Sequence, residues 1–157
     1  MRDADPSTYE PLSWLLVFHR TTRRAWLDRL IPGRFKHVSA IAWSEAAKTW
    51  LFYDPAFGRT RLYAIPGRDG EIQADRVSAG ATVLRMPVVE EPCPLPRFGF
   101  WCAPAVAHLV GLRGGTLPVT LYRACLAAGA TVVVAGDRDD LRPAAALPGG
   151  ACRPAPR

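Results

Sequence analysis

Cysteine and histidine are the residue types in this sequence that could together carry out nucleophilic chemistry. The chain has four cysteines (Cys93, Cys102, Cys125 and Cys152) and three histidines. A thiol nucleophile needs partial exposure, a setting that favours the thiolate, and a base within hydrogen-bond reach. Cys102 opens a predicted helix over 102–112, where unsatisfied N–H groups and the helix dipole favour the thiolate. We predict Cys102 as the nucleophile, and a buried structural thiol is the alternative.

The other three cysteines have less suitable settings. Cys125 lies in the middle of a predicted helix among apolar residues, which is typical of a core position. Cys93 stands between two prolines in a connector, and Cys152 lies in the C-terminal tail. The cysteine spacing fits no zinc motif, so we expect no metal and no cofactor. A cytoplasmic chain would also argue against disulfides.

His37 is the candidate base. It begins a predicted strand over 37–43, which forms a hairpin with a second strand over 49–54. If the tightest turn pairs Trp43 with Thr49, His37 lies opposite Pro55 and next to Asp54. A one-residue bulge would bring Asp54 or Tyr53 directly opposite His37. Either arrangement supplies a carboxylate that could orient the imidazole, so Asp54 is the predicted third residue.

These residues predict one mechanism and leave plainer interpretations open. His37 would take the proton of Cys102, and the thiolate would attack a carbonyl. Backbone N–H groups at the helix start would hold the oxyanion, and water or another acceptor would resolve the thioester. Alternatively, His37 is an ordinary strand residue and Asp54 a turn former. We assign His19 to the core and His108 to packing or surface, since His108 lies about 240° round the helix from Cys102.

The hydrophobic pattern predicts the elements that must position these side chains. The class is α+β, an antiparallel sheet with the nucleophile-bearing helix packed against it. Residues 66–80 have turn composition and are predicted to form a surface loop. Predicted strands cover 12–19, 37–43, 49–54, 59–65, 81–89 and 131–135, and predicted helices cover 23–30, 102–112 and 119–128.

Length and composition indicate one globular domain. The chain has 157 residues, of which 49% are hydrophobic and 22% charged, enough for a sizeable core. We divide it into a polar lead-in (1–11), a single domain (12–136) and a flexible proline- and alanine-rich tail (137–157). It lacks a long apolar run, and its start is polar and acidic, so we expect no transmembrane segment, no signal peptide and a cytoplasmic location.

The net charge of +6 comes mainly from scattered arginines. A solvated basic surface explains this pattern most simply, with a contact to nucleic acid or an anionic envelope as the alternative. Because no nucleic-acid-binding motif is present, we expect no specific nucleic-acid partner.

Several segments resemble short phage-encoded proteins that are similar to circularly permuted papain-like cysteine hydrolases. That lineage includes bacterial cell-wall endopeptidases and lecithin:retinol acyltransferases. The likeness runs from Leu12 to Ala128, and TLPVTLYRACL is one residue longer before its proline than the related pattern. The segments are WLLVFHR, FKHVSAIAW, TWLFYDP, WCAPAVAHLVGL and TLPVTLYRACL.

The resemblance implies a permuted papain-like fold, in which the histidine strand precedes the cysteine helix. It also implies His37 as base, Cys102 as nucleophile and a phage or prophage origin, and Asp54 best fits the variable third position. The predicted function is a thiol hydrolase that cleaves an amide bond in a peptidoglycan peptide or a protein. The alternatives are a non-catalytic phage structural or assembly protein in contact with virion proteins, and a thioester-forming acyltransferase or lipid deacylase.

Overall fold

The computed structural model describes residues 11–22, 24–56, 58–87, 101–112 and 115–136. This part of the chain contains six strands and four helices. The strands are β1 (Ser13–His19), β2 (His37–Ser44), β3 (Thr49–Ala56), β4 (Arg59–Pro66), β5 (Thr82–Pro87) and β6 (Thr131–Val134). The helices are α1 (Ala25–Leu30), α2 (Gly67–Ser78), α3 (Cys102–Leu109) and α4 (Pro118–Ala127).

All six strands form one antiparallel sheet in the order β4-β3-β2-β1-β5-β6. The prediction of an α+β fold built on an antiparallel sheet is therefore confirmed. β1 lies near the centre of the sheet and is fully flanked, which agrees with its nearly continuous apolar sequence. The histidine-bearing strand β2 lies between β1 and β3.

Each face of the sheet has its own core, because side chains alternate along a strand. On one face Leu16 and Phe18 pack with α3 and α4, where Phe18 meets Tyr122 edge-on with ring centroids 5.3 Å apart. On the other face Val17 packs with Ile41 beneath α2. The larger core holds α3 firmly against the sheet, and α3 carries Cys102.

The prediction that residues 66–80 form a surface loop is wrong, because Gly67–Ser78 is helix α2. The glycines in this segment suggested turns. Gly70 instead allows the helix to lie close to the sheet, since a Cβ at this position would lie 2.5 Å from Trp50 Cδ1 and 2.6 Å from a backbone oxygen. Gly70, Ala74 and Val77 follow helical spacing and face the sheet. Tertiary packing therefore outweighs the turn-like composition.

The predicted hairpin register is also wrong, by one residue. Trp43 pairs with Trp50 rather than with Thr49, and Ser44 pairs with Thr49. The turn is consequently shorter than predicted, and Lys48 closes it in the left-handed region with a φ of 50°. The paired tryptophan rings lie 5.4 Å apart and pack across the strands.

The predicted element boundaries are otherwise close to those observed. Helix α3 ends at Leu109 rather than at residue 112, and Gly111 follows with a φ of 72°. Residues 1–10 of the predicted lead-in, the connector that holds Cys93, and the predicted tail with Cys152 lie outside the described residues. Among the described helices, none has the length and apolar character needed to cross a membrane.

Candidate active site

The observed register places His37 and Asp54 on the same face of the sheet. Pairing between β2 and β3 runs from Ser44–Thr49 to Ala40–Tyr53. If this register continues by one residue, Asp54 lies opposite residue 39. Residues 39 and 37 are two apart on β2, so their side chains, and that of Asp54, point to the same face of the sheet. The predicted register would have put Asp54 on the opposite face. A turn one residue shorter therefore brings the carboxylate to the imidazole.

A short hydrogen bond joins the two side chains. Nε2 of His37 donates to Oδ1 of Asp54 over 2.7 Å, and the two side chains are 19% and 20% exposed. A bond this short between an imidazole and a carboxylate is typical of a charge-assisted interaction. Because it occupies Nε2, it also orients the ring and leaves Nδ1 for another partner.

Cys102 approaches His37 from the start of helix α3. It is the first residue of that helix, is 7% exposed, and lies close enough to His37 to influence the pKa of the imidazole. The preceding residue, Trp101, provides no side-chain cap for the helix. Ala103 and Val106 are fully buried in the larger core, so packing fixes the position of the helix start. The structure thus brings Cys102, His37 and Asp54 together.

The surroundings of His37 raise its pKa from 6.5 to about 9. Burial is the largest single influence, and by itself it would lower the pKa of His37 because it disfavours the charged ring. The interactions of His37 with Asp54 and Cys102, through hydrogen bonding and through charge, act in the opposite direction and together outweigh burial. His37 is therefore an imidazolium at neutral pH.

His19 belongs to the same site, although the sequence interpretation assigned it to the core. It pairs with His37 across β1 and β2, and the two rings stack with centroids 5.5 Å apart and planes 24° apart. His19 Nε2 also shares a hydrogen bond of 3.2 Å with Ser39 Oγ. The sequence does contain a signal for this contact, because His19 ends one predicted strand and His37 begins the next. Only the pairing register of β1 and β2 shows that the two histidines are neighbours.

A cavity of about 860 Å³ opens over these residues. His37 and Cys102 line it, as do His19 and Ser39. Trp101 forms part of the wall beside Cys102, and its indole N–H donates to the carbonyl oxygen of Thr116. The cysteine is thus largely buried in the protein and yet lies at the surface of a space large enough for a substrate.

The other described cysteine and histidine lie away from this cavity. Cys125 is fully buried in α4, and burial raises the pKa of its thiol to about 12, so this thiol is inert at neutral pH. His108 is exposed on α3. Within the described ranges, no three His, Cys, Asp or Glu side chains are grouped closely enough to hold a metal ion.

The described groups are of the kinds that acyl transfer to sulfur uses: a thiol beside an imidazole, and a carboxylate that orients the imidazole. The comparisons with known proteins add no functional information. No protein-family model, curated protein or solved structure matches this chain.

Proposed function

We propose that this chain is a thiol hydrolase that cleaves an amide bond, with Cys102 as nucleophile, His37 as acid and base, and Asp54 as the residue that orients His37. One observation carries the proposal: His37 is hydrogen-bonded to Asp54 and interacts with Cys102 at the surface of one cavity. A histidine with only a structural role needs neither a carboxylate bonded to one ring nitrogen nor a thiol beside the ring. The presence of both groups therefore favours a catalytic role.

The chemical steps follow from this geometry. The proton that Cys102 and His37 share rests on Nδ1 of His37, the ring nitrogen that Asp54 leaves open, and the Cys102 sulfur attacks the substrate carbonyl carbon. The tetrahedral intermediate then collapses, the carbon–nitrogen bond breaks, and His37 returns the proton to the leaving amine. Water, deprotonated by His37, next attacks the thioester. This step releases a carboxylic acid and restores the thiol.

Backbone groups at the start of α3 are suited to stabilise the intermediate. The N–H groups of the first turn have no partner within the helix, and α3 has no side-chain cap that would occupy them. Pro104 has no N–H, so the available donors in this turn are those of Cys102 and Ala103. These donors lie beside the reacting sulfur, as an oxyanion hole requires.

The proposal extends to a permuted papain-like fold and to a peptide substrate, in peptidoglycan or in a protein, of a phage-derived enzyme. Its support is the chain order, in which the histidine strand β2 precedes the cysteine helix α3, together with the sequence resemblance described above. A basic surface, with the net charge of +6, is compatible with an anionic cell-wall or virion surface.

Acyl transfer or lipid deacylation through the same thioester is a second candidate. The observation that favours it is an apolar wall of the cavity, formed by Leu27, Leu30, Ile31 and Leu117. Leu30 is 68% exposed at this edge, and an acyl chain could cover it. The two candidates share the nucleophile and differ in the group that the cavity accepts.

Alkylation with iodoacetamide at mildly acidic pH tests the proposed nucleophile, with each cysteine followed by peptide mapping. We expect Cys102 to react about tenfold faster than an ordinary thiol, because an adjacent imidazolium favours the thiolate. The variant Cys102→Ser should lose the fast reaction and stay folded, while Cys125→Ser should keep it. His37→Gln should slow the reaction to the rate of an ordinary thiol.

The non-catalytic alternative makes the opposite prediction. If Cys93 reacts and Cys102 stays inert in the folded protein, the proposed function is wrong. If Cys102 reacts rapidly, incubation with peptide amides and with phospholipid esters, followed by mass spectrometry, would identify the acyl group that accumulates on the sulfur and separate the first candidate from the second.

A further inference from the structure

Two arginines of the edge strand β4 lie on the same face of the sheet as His37 and Asp54. Arg61 is the direct partner of Asp54, and Arg59 is the partner of Ala56. Paired residues share a face, as do residues two apart along a strand. Arg59 and Arg61 therefore stand side by side next to the His37–Asp54 pair, and both line the cavity.

The cavity wall is strongly cationic. Its described lining has one acidic side chain, Asp54, whose Oδ1 is already engaged by His37. Neither Arg59 nor Arg61 has an ion pair with any residue in the part of the chain that the structure describes. The cationic lining residues are Arg24, Lys36, Arg59, Arg61 and Arg76.

We infer that Arg59 and Arg61 form a subsite that binds an anionic oxygen group of the substrate, either a carboxylate or a phosphate, while Cys102 attacks the neighbouring carbonyl. This inference rests on the proposed function and adds the charge class of the substrate. Guanidinium groups suit the role because their planar N–H donors match two oxygens of a carboxylate or phosphate. Two of them on one strand face form a clamp for one such group.

A pair of alkylating reagents that differ in charge tests the subsite without a known substrate. Iodoacetate and iodoacetamide modify the same sulfur, and only iodoacetate is an anion. The ratio of their rate constants at Cys102, measured on the full chain at low ionic strength, therefore reports the local preference for an anion. We expect Arg59→Gln and Arg61→Gln each to lower this ratio about threefold, and high salt to lower it in the wild type.

Two matched variants separate charge from structural damage. Arg61→Lys keeps the charge and should keep most of the ratio. Arg123→Gln removes an exposed arginine of α4 that does not line the cavity and should leave the ratio unchanged. An unchanged iodoacetamide rate in Arg59→Gln and Arg61→Gln would show that their sites remain intact.

Protection experiments identify the source of the anion. Glutarate serves as a carboxylate probe and inorganic phosphate as a phosphate probe, each added before iodoacetamide. Stronger protection of Cys102 by glutarate indicates a carboxylate-bearing substrate, and stronger protection by phosphate indicates a phosphate-bearing one. If neither glutarate nor phosphate protects Cys102, or if neither glutamine variant changes the ratio of iodoacetate to iodoacetamide rate constants, the proposed anion subsite is wrong. The proposal that Cys102 is the nucleophile is unaffected by that result. If Cys102 reacts rapidly with neither reagent, the proposed function fails and the subsite fails with it.

Discussion

Replacement of Asp54 by asparagine tests the bond that orients His37. Asparagine keeps nearly the same shape and can still accept a hydrogen bond from Nε2, but it removes the negative charge. We expect the pKa of His37 to fall markedly in Asp54→Asn. Burial disfavours the charged ring, and the variant lacks the carboxylate charge that offsets this effect of burial.

The size of the effect follows from the observed interaction. The rise in the pKa of His37 from 6.5 to about 9 corresponds to about 3 kcal/mol in favour of the imidazolium. Asp54 provides a charge-assisted bond of 2.7 Å to a side chain that is 19% exposed. Such a bond contributes roughly 1.5–3 kcal/mol. Its loss should therefore lower the pKa of His37 by about 1 to 2 pH units.

The same change alters how stability depends on pH. The pKa of His37 is higher in the folded protein than its unfolded value of 6.5, so the folded state holds the proton more tightly. This stabilisation is fully present below about pH 6.5 and is lost as the pH rises through about 9. We expect the free energy of unfolding of the wild type to fall over this interval by up to about 3 kcal/mol. In Asp54→Asn this fall should be smaller.

Two-dimensional NMR of the imidazole C–H groups measures the prediction directly, because the chain has only three histidines. His19→Gln and His108→Gln assign the signals. Urea unfolding at a series of pH values gives the stability. If His37 titrates near 6.5 in the wild type, or keeps a pKa near 9 in Asp54→Asn, then Asp54 does not control the imidazole and the reasoning is refuted.

Three substitutions test the fold by urea denaturation. Gly70→Ala should destabilise the protein by about 1–2 kcal/mol, because the collision of a Cβ with Trp50 and a backbone oxygen outweighs the helix-propensity gain of about 1 kcal/mol. An increase in stability would contradict the close packing of α2 on the sheet. Asp75→Ala, at an exposed position of α2, serves as the control. Cys125→Ser should cost about 1–3 kcal/mol, since a hydroxyl would be buried at a fully enclosed site, and a neutral effect would place Cys125 nearer solvent. Phe18→Ala should cost about 3–5 kcal/mol, because Phe18 is fully buried; a loss below 1 kcal/mol would be inconsistent with this core.

Local signals in the sequence predicted most of the elements that carry the site. Strands β1 to β4 follow apolar and β-branched runs bounded by turn residues, and α3 begins where Trp101 and Cys102 precede a proline tolerated in the first turn. Such signals depend on a few neighbouring residues, so they are readable without a fold. They also marked Cys102 as the cysteine at a helix start and His37 as the start of a strand.

Tertiary structure decided how these parts meet. A single residue in the hairpin turn determines whether Asp54 shares a face with His37, because side chains alternate along a strand and a shift of one reverses every face. Helix α2 packs closely on the sheet where Gly70 meets Trp50, a contact between distant elements. The stacking of His19 on His37 likewise depends on pairing between separate strands. The sequence by itself determined which residues could react, and long-range packing, which no local pattern encodes, decided which of them are neighbours.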